Sequence, residues 1–267
     1  MKINAAIARQ AHQAFSIEEV DIEKPRADEV LVQIHGVGLC HTDLIARDQF
    51  IPIELPAVLG HEGAGVVAAV GEKVTKVRVG DRVVMSFSSC GHCARCAQNL
   101  PSYCGSFPAL NYSGRRPDGS SAISIGGTPI SASFFGQSSF ASHALTRERN
   151  LVKIDDPGLP LKILGPLGCG LQTGAGAVMR SLSCQAGSSI CVFGGGPVGL
   201  AAIMGAVIQG CTTIILAEPI ASRREMATSL GATHVIDSAR GQVGEAIRSI
   251  VPAGLNYALE TDRKSVV

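Results

Sequence analysis

A chain of 267 residues with 46% apolar and 17% charged residues is long enough for one large or two ordinary domains with sizeable cores. A formal net charge of +1, with no Lys/Arg run and no basic aromatic stripe, argues against nucleic-acid and anionic-membrane partners and leaves small molecules. Residues 1–14 lack a long apolar core and a small-residue cleavage site, and no stretch is apolar for long enough to cross a bilayer, so a cytoplasmic location is the default expectation. Nine cysteines without a secretion signal suggest reduced thiolates for metal binding over a disulfide framework.

From Lys2 to about Leu151 the pattern is one of short β-like runs cut by glycines, including residues 30–34, 65–70 and 81–85, and this half reads as an all-β, barrel-like domain. Residues 111–129, rich in Gly, Ser and Pro, read as a surface loop. After Asp156-Pro157-Gly158 strands and helices alternate. Apolar strands are expected at 189–193, 213–217, 234–236 and 257–259, with a helix from Pro197 to Gln209, the pattern of a parallel α/β sheet. A doubly wound dinucleotide domain carries about six strands and only about four can be counted, so the α/β half reads as truncated. The ending 262–267 is out of keeping with a strand running into it and reads as a non-native tail, of the kind a translated adapter sequence would leave. The resulting division is 1–170, 171–261 and the tail 262–267.

Three constellations carry chemistry. Cys90, Cys93, Cys96 and Cys104, spaced C-x2-C-x2-C-x7-C, suit a soft tetrahedral ion, and four thiolates leave no open position, so the reading is a structural zinc. A ferredoxin cluster would continue x3-C-Pro, whereas here the gap is seven residues and Gly105 follows; a metal-free loop is the remaining alternative. Cys40, His61 and Cys169, from three distant segments, have the composition of a catalytic zinc site with a fourth position for water or substrate, although no short spacing enforces it. Gly194-Gly195-Gly196-Pro197-Val198-Gly199 satisfies G-x-G-x-x-G, follows an apolar strand, opens a helix and is followed nineteen residues after Gly199 by Glu218 at a strand end. In that pattern Gly194 permits the turn, Gly196 lets the backbone approach a pyrophosphate and Gly199 allows close helix–strand packing. A plain helix N-cap with solvated Glu218 and Arg223 is the bland alternative. Cys184, Cys191 and Cys211 read as buried thiols acting as small hydrophobes, and His12, His35, His92, His143 and His234 as surface or satisfied core residues.

The strings Gly38-Leu39-Cys40-His41-Thr42-Asp43, Gly60-His61-Glu62-Gly63-Ala64-Gly65 and Gly168-Cys169-Gly170, together with the cysteine lobe, resemble the zinc-dependent medium-chain alcohol dehydrogenases. Residues 134–140 and 165–179 further resemble the aryl (benzyl) alcohol dehydrogenase branch. The resemblance implies a GroES-like β-barrel catalytic domain followed by a truncated Rossmann domain. It also implies two zinc ions per chain, with Cys40, His61 and Cys169 on the catalytic one, and NAD as cofactor. Glu62 would sit beside that ion, Asp43 would accept the other imidazole N–H of His61, and Thr42 would start the proton relay. His41 would meet the cofactor pyrophosphate, Thr173 the nicotinamide, and Glu218 with Arg223 the adenosine ribose, the carboxylate disfavouring NADP. Asp43 as a turn cap and Glu62 as a surface charge are the dull alternatives.

The family often ends its relay on a histidine three residues beyond the hydroxyl, where this chain has Ile45, which puts the last step in doubt. Phe87 and Leu110 are candidates for an apolar substrate pocket. The implied activity is NAD-dependent oxidation of a primary aryl or allylic alcohol to the aldehyde. Alternatives are an activity like that of glutathione-dependent formaldehyde dehydrogenase, which should carry basic pocket residues, or an inactive zinc- and nucleotide-binding fragment. The full-length form is expected to be a homodimer or homotetramer.

Overall fold

The computed structural model describes residues 1–262, which divide into two compact units, the first Met1–Cys169 and the second beginning at Gly170. The first unit contains strands β1 (Lys2–Ala8), β2 (Ser16–Ile22), β3 (Glu29–Val37), β4 (Ala57–Val58), β5 (Gly63–Val70), β6 (Arg82–Met85), β7 (Ile123–Ile125), β8 (Thr128–Pro129), β9 (His143–Arg147) and β10 (Leu151–Lys153). Its helices are α1 (His41–Arg47), α2 (Ala94–Ala97) and α3 (Phe107–Asn111). Two five-stranded sheets result, ordered β4-β1-β2-β7-β8 and β10-β6-β5-β3-β9. Inward-facing residues of both sheets, among them Ile3, Ile7, Val20 and Ile22 from one and Leu31 and Leu145 from the other, share one buried cluster. Period-two alternation along β1 and β2 puts these side chains on a common face.

One end of the second sheet matters most for function. β3 and β5 are antiparallel with Val37 opposite Gly63, and β5 and β6 are antiparallel with Ala64 opposite Val84. The chain leaving β3 toward Cys40, the chain entering β5 from His61 and the chain leaving β6 after Met85 therefore all lie at the same sheet end. Residues 165–169 come to that end as well, because Gly168 lies against the Met85 carbonyl, where an added Cβ would be 1.9 Å from the oxygen.

Residues 111–129 do not form a plain surface loop. β7 and β8 make a hairpin turned by Gly126 (φ 56°) and Gly127 (φ 84°), a two-residue turn that needs positive φ at both central positions. The segment is further pinned by Arg116, 7% exposed, whose guanidinium donates to both Glu29 oxygens at 2.7 and 2.9 Å and to Glu23. The Gly, Ser and Pro content is that of a tight hairpin and a buried ion pair.

In the second unit α4 (Gly170–Gly176) precedes β11 (Ser189–Phe193), α5 (Pro197–Ile208), β12 (Thr213–Ala217), α6 (Ala221–Ser229), β13 (His234–Ile236), α7 (Val243–Ile250) and β14 (Tyr257–Glu260). Among the described residues these strands form a four-stranded parallel sheet ordered β13-β12-β11-β14. β11 and β12 are almost wholly apolar because both faces are covered: Ile190, Val192, Ile214 and Leu216 pack on α5, while Cys191, Ile215 and Ala217 pack on the α7 side. Helix α5 starts with Pro197 at its first turn and ends before Gly210 at φ 76°, the positive φ of a helix C-terminal stop. No helix among the described residues is long and apolar enough to cross a membrane. Residues 263–267 of the tail lie outside the described residues; Asp262 N donates to Glu260 just after β14.

Candidate metal centres and dinucleotide loop

Cys40 caps α1, with its backbone N–H donating to Asp43 Oδ2 at 3.0 Å. Asp43 is completely buried and its other oxygen accepts from Gly60 N at 3.0 Å and pairs with His61 Nδ1 at 2.9 Å. One carboxylate thus ties the Cys40 and His61 segments together and fixes the imidazole, with Nδ1 carrying the proton and Nε2 turned toward the sulfurs, 3.2 Å from Cys169 Sγ. Donor atoms of Cys40, His61, Glu62 and Cys169 all lie within 4.8 Å of one another. Thr42 Oγ1 is 3.5 Å from Cys40 Sγ. His41 is exposed on the first turn of α1, and Ile45 lies on the next turn.

The donor set is electrostatically unsettled by itself. Hydrogen bonding to Cys169 pushes the Cys40 thiol down to about 3 against the opposing effect of burial, with His61 and Thr42 assisting. Cys169 is pushed up by its contact with Cys40 and by burial, with Glu62 adding repulsion. Burial disfavours the charged imidazole, yet Asp43 and Cys40 outweigh it and hold His61 up to about 9. Two sulfurs and a carboxylate crowded this closely cannot all carry negative charge unless a cation lies among them. A divalent, thiophilic ion such as zinc fits this set of two thiols, an imidazole and a nearby carboxylate.

Sequence reasoning did not identify the residues that brace this cluster. Gln137, 1% exposed, donates to the His61 carbonyl at 2.9 Å and accepts from Gly63 N at 3.2 Å, locking both sides of Glu62. Ser86 Oγ donates to the Gly168 carbonyl at 3.1 Å and holds the Cys169 segment. Phe135 stacks on the His61 ring at 4.4 Å with an interplanar angle of 24°, from a left-handed backbone position at φ 50°. Phe107 and Tyr112 meet Phe135 edge-on at 6.1 and 5.6 Å, and Phe87 packs on Phe107. The string 134–140 was visible as a motif, but nothing in it announced which side chain faces the imidazole. Phe87 joins this aromatic group, whereas Leu110 lines a separate small cavity with Glu29, Arg116 and Thr146.

The second cluster is the cysteine lobe. Cys90 and Cys96 sulfurs are 3.9 Å apart and those of Cys93 and Cys104 4.0 Å, close to the edge of about 3.8 Å that a tetrahedron of four zinc–sulfur bonds requires. The Cys90 and Cys93 amides donate to Cys104 and Cys90 sulfurs, each at 3.3 Å. Cys93 is pushed down to about 6 by the Cys96 and Gly105 amides, so the lobe favours thiolate there, while burial pushes Cys96 up to about 11. Cys93 caps the single turn of α2 and Cys96 sits within it. His92 is exposed and outside the sulfur set.

The glycine-rich loop leaves β11 with Gly194 at φ 92°, and Gly199 in α5 comes so close to Gly194 that an added Cβ would lie 1.9 Å from its carbonyl oxygen. A Cβ at Gly196 would meet nothing within 4 Å, which leaves the start of α5 open. Glu218, 2% exposed at the end of β12, accepts from Gly195 N at 2.5 Å and Ile220 N at 2.9 Å, with the Arg223 guanidinium 3.7 Å away. Thr173 is exposed on α4. The loop has the turn, the open helix N-terminus and the acidic residue that a dinucleotide requires.

A zinc-binding dehydrogenase is the class that this fold and these two donor sets define. Residues 26–156 match the alcohol dehydrogenase GroES-like domain family and residues 197–263 the zinc-binding dehydrogenase family. The chain is 49% identical over 259 residues to a geraniol dehydrogenase of Castellaniella defragrans (strain DSM 12143 / CCUG 39792 / 65Phen), covering 96% of this chain and 69% of that protein. It superposes on an alcohol dehydrogenase zinc-binding domain protein from Burkholderia ambifaria with a TM-score of 0.94 and 52% identity, over 98% of this chain and 71% of that one. Benzyl alcohol dehydrogenase from Acinetobacter calcoaceticus gives a TM-score of 0.92 at 44% identity, with 98% and 71% coverage. The chain belongs to the zinc-dependent medium-chain alcohol dehydrogenase family.

Proposed function

We propose that this protein oxidises primary allylic or aryl alcohols to aldehydes with NAD as hydride acceptor. The observation that carries the reading is the Cys40, His61, Glu62 and Cys169 donor set, buried at His61 and Glu62 and half-buried at the two thiols, with an aromatic wall of Phe135, Tyr112 and Phe107 built onto its imidazole. When bound, zinc supplies the Lewis acidity that lets an alcohol give up its proton near neutral pH, and NAD supplies the electrophilic ring that takes the hydride.

The chain's own residues do the rest. Cys40, His61 and Cys169 would hold the ion, and Asp43 keeps the His61 Nε2 lone pair available by accepting at Nδ1. Glu62, buried beside them, is close enough to take a ligand's place during exchange. The Thr42 hydroxyl would receive the substrate proton; Ile45 offers no acceptor on the next turn, so the proton would pass to water. The apolar aromatic cluster of Phe135, Phe107 and Tyr112 beside the imidazole favours a planar, unsaturated group next to the carbinol carbon. Glu218, anchored by two backbone amides, would accept from the adenosine ribose hydroxyls and repel a 2′-phosphate. Support for the substrate class also comes from the names of the similar proteins, which act on geraniol and on benzyl alcohol.

The test is NADH formation with geraniol and benzyl alcohol by the zinc-loaded protein, against ethanol and against S-(hydroxymethyl)glutathione. Turnover of the unsaturated alcohols, lost in Cys40→Ala, is the expected result. Activity confined to the glutathione adduct, or none with any alcohol, would overturn the reading.

A further inference from the structure

Three cysteines take no part in either donor set: Cys184, Cys191 and Cys211, all in the second unit. Cys191 is fully buried on the α7 face of the sheet. Cys184 and Cys211 sit together on the opposite face, Cys184 at 3% exposure in the α5 core and Cys211 half-buried against it. The segments that carry them are zipped by backbone and side-chain bonds. Gly187 N donates to Gly210 O at 2.8 Å, Thr212 N to Ser188 O at 3.0 Å, Thr212 Oγ1 to Gly187 O at 2.9 Å and Gln209 Nε2 to Cys184 O at 3.1 Å. Ser188 Oγ lies 3.4 Å from Cys211 Sγ. The two thiols thus belong to one packed cluster, on segments held side by side; burial pushes the Cys184 thiol up to about 11, and Cys211 pushes it the same way.

We infer that Cys184 and Cys211 form an oxidation site, a vicinal thiol pair that a peroxide converts to a disulfide across the base of the nucleotide-binding unit. Cys211 is the sulfur a small oxidant reaches. Its thiolate attacks the peroxide, the O–O bond breaks, and Cys211 becomes a sulfenic acid as the peroxide is reduced to water. Cys184, losing its proton to the departing hydroxide, then attacks the Cys211 sulfur; the S–O bond breaks, a second water leaves and the S–S bond forms. Cys184, buried at 3% exposure, is kept from the oxidant and is therefore the resolving partner. The ring closed by this bond contains β11, the glycine-rich loop and all of α5, so oxidation would staple the entry of β11 to the exit of α5.

The experiment treats the full, zinc-loaded chain with stoichiometric hydrogen peroxide, blocks free thiols by alkylation without reduction, and maps peptides by mass spectrometry. A cross-linked peptide joining Cys184 to Cys211, two hydrogens lighter than its parts, is expected. It should disappear on treatment with dithiothreitol and in Cys211→Ser. In Cys184→Ala the sulfenic acid on Cys211 should persist and be trapped by dimedone. Thermal unfolding of the oxidised wild type should shift up by several degrees, and that of Cys211→Ser should not. Full alkylation of both cysteines after peroxide treatment would overturn the inference. So would a dimedone adduct on Cys211 in the wild type with Cys184 still free.

Discussion

Asp43 is the residue on which the first metal centre turns. Its Oδ2 serves the Cys40 amide and its Oδ1 the Gly60 amide and the His61 imidazole, so in Asp43→Asn, where one oxygen becomes an NH2 group, either the first donor or the other two would be mispaired. Zinc affinity at that centre should fall about 10- to 100-fold, leaving about one tightly bound zinc per chain by elemental analysis after dialysis, with the cysteine lobe still loaded. Phe135 acts at the same scale. Phe135→Leu keeps an apolar side chain but removes the stack on His61, and kcat/KM for benzyl alcohol should drop about tenfold while the value for a short saturated alcohol changes little. Equal loss for both alcohols would show that the ring only supports the imidazole. The metal-type residues and Asp43 were legible in the sequence because their local strings are dense in unusual residue types. Gln137, Ser86 and the stacking role of Phe135 were not, because each acts on a segment more than 50 positions away and leaves no local spacing to read.

At the scale of elements, strands β11 and β12 could be read residue by residue because both faces are covered and no polar alternation confuses the pattern. The β7–β8 hairpin was hidden for the opposite reason: its strands are short, and the glycine pair that makes the turn resembles loop composition. What holds that segment is the Arg116–Glu29 pair, both nearly buried and bonded through two parallel contacts. Arg116→Met leaves Glu29 buried beside an apolar chain, and a cost of about 3–5 kcal/mol is expected, equivalent to roughly 10 °C in the midpoint of thermal unfolding. Glu29→Gln in the same background should recover part of that loss, since a neutral amide is easier to bury. No recovery would mean that the guanidinium packing, and not the charge, is what matters. Gly199→Ala, whose new methyl would press on the Gly194 carbonyl, should weaken NAD binding by displacing the start of α5 from the loop, measured as nucleotide affinity by calorimetry.

Across the whole molecule, the two units follow different rules of assembly. The first is organised by side chains that meet at one end of a sheet, the second by an apolar parallel sheet with helices on both faces. Periodicity made the second easy to recognise and the first hard, since strand order in the two antiparallel sheets is not written in any local pattern. The chain covers 69% of the length of the geraniol dehydrogenase it resembles. Two donor sets of different character should also behave differently toward a chelator: a mild agent should strip an ion from the Cys40 set, where the two thiols and the imidazole would leave a fourth position open, before one in the four-sulfur lobe. Activity should vanish with the first equivalent of zinc, and the thermal midpoint should fall mainly with the second.

The placement of the nine cysteines turns the protein into its own metal gauge. Six of them converge in the two donor sets, two more, Cys184 and Cys191, are sealed in the core, and the ninth, Cys211, belongs to neither group and is half-buried. A colorimetric thiol reagent added to the loaded, reduced protein should therefore count little more than one sulfhydryl. Each emptied centre would add its own quota, two from the first and four from the second, so the titre alone would tell which ion has left.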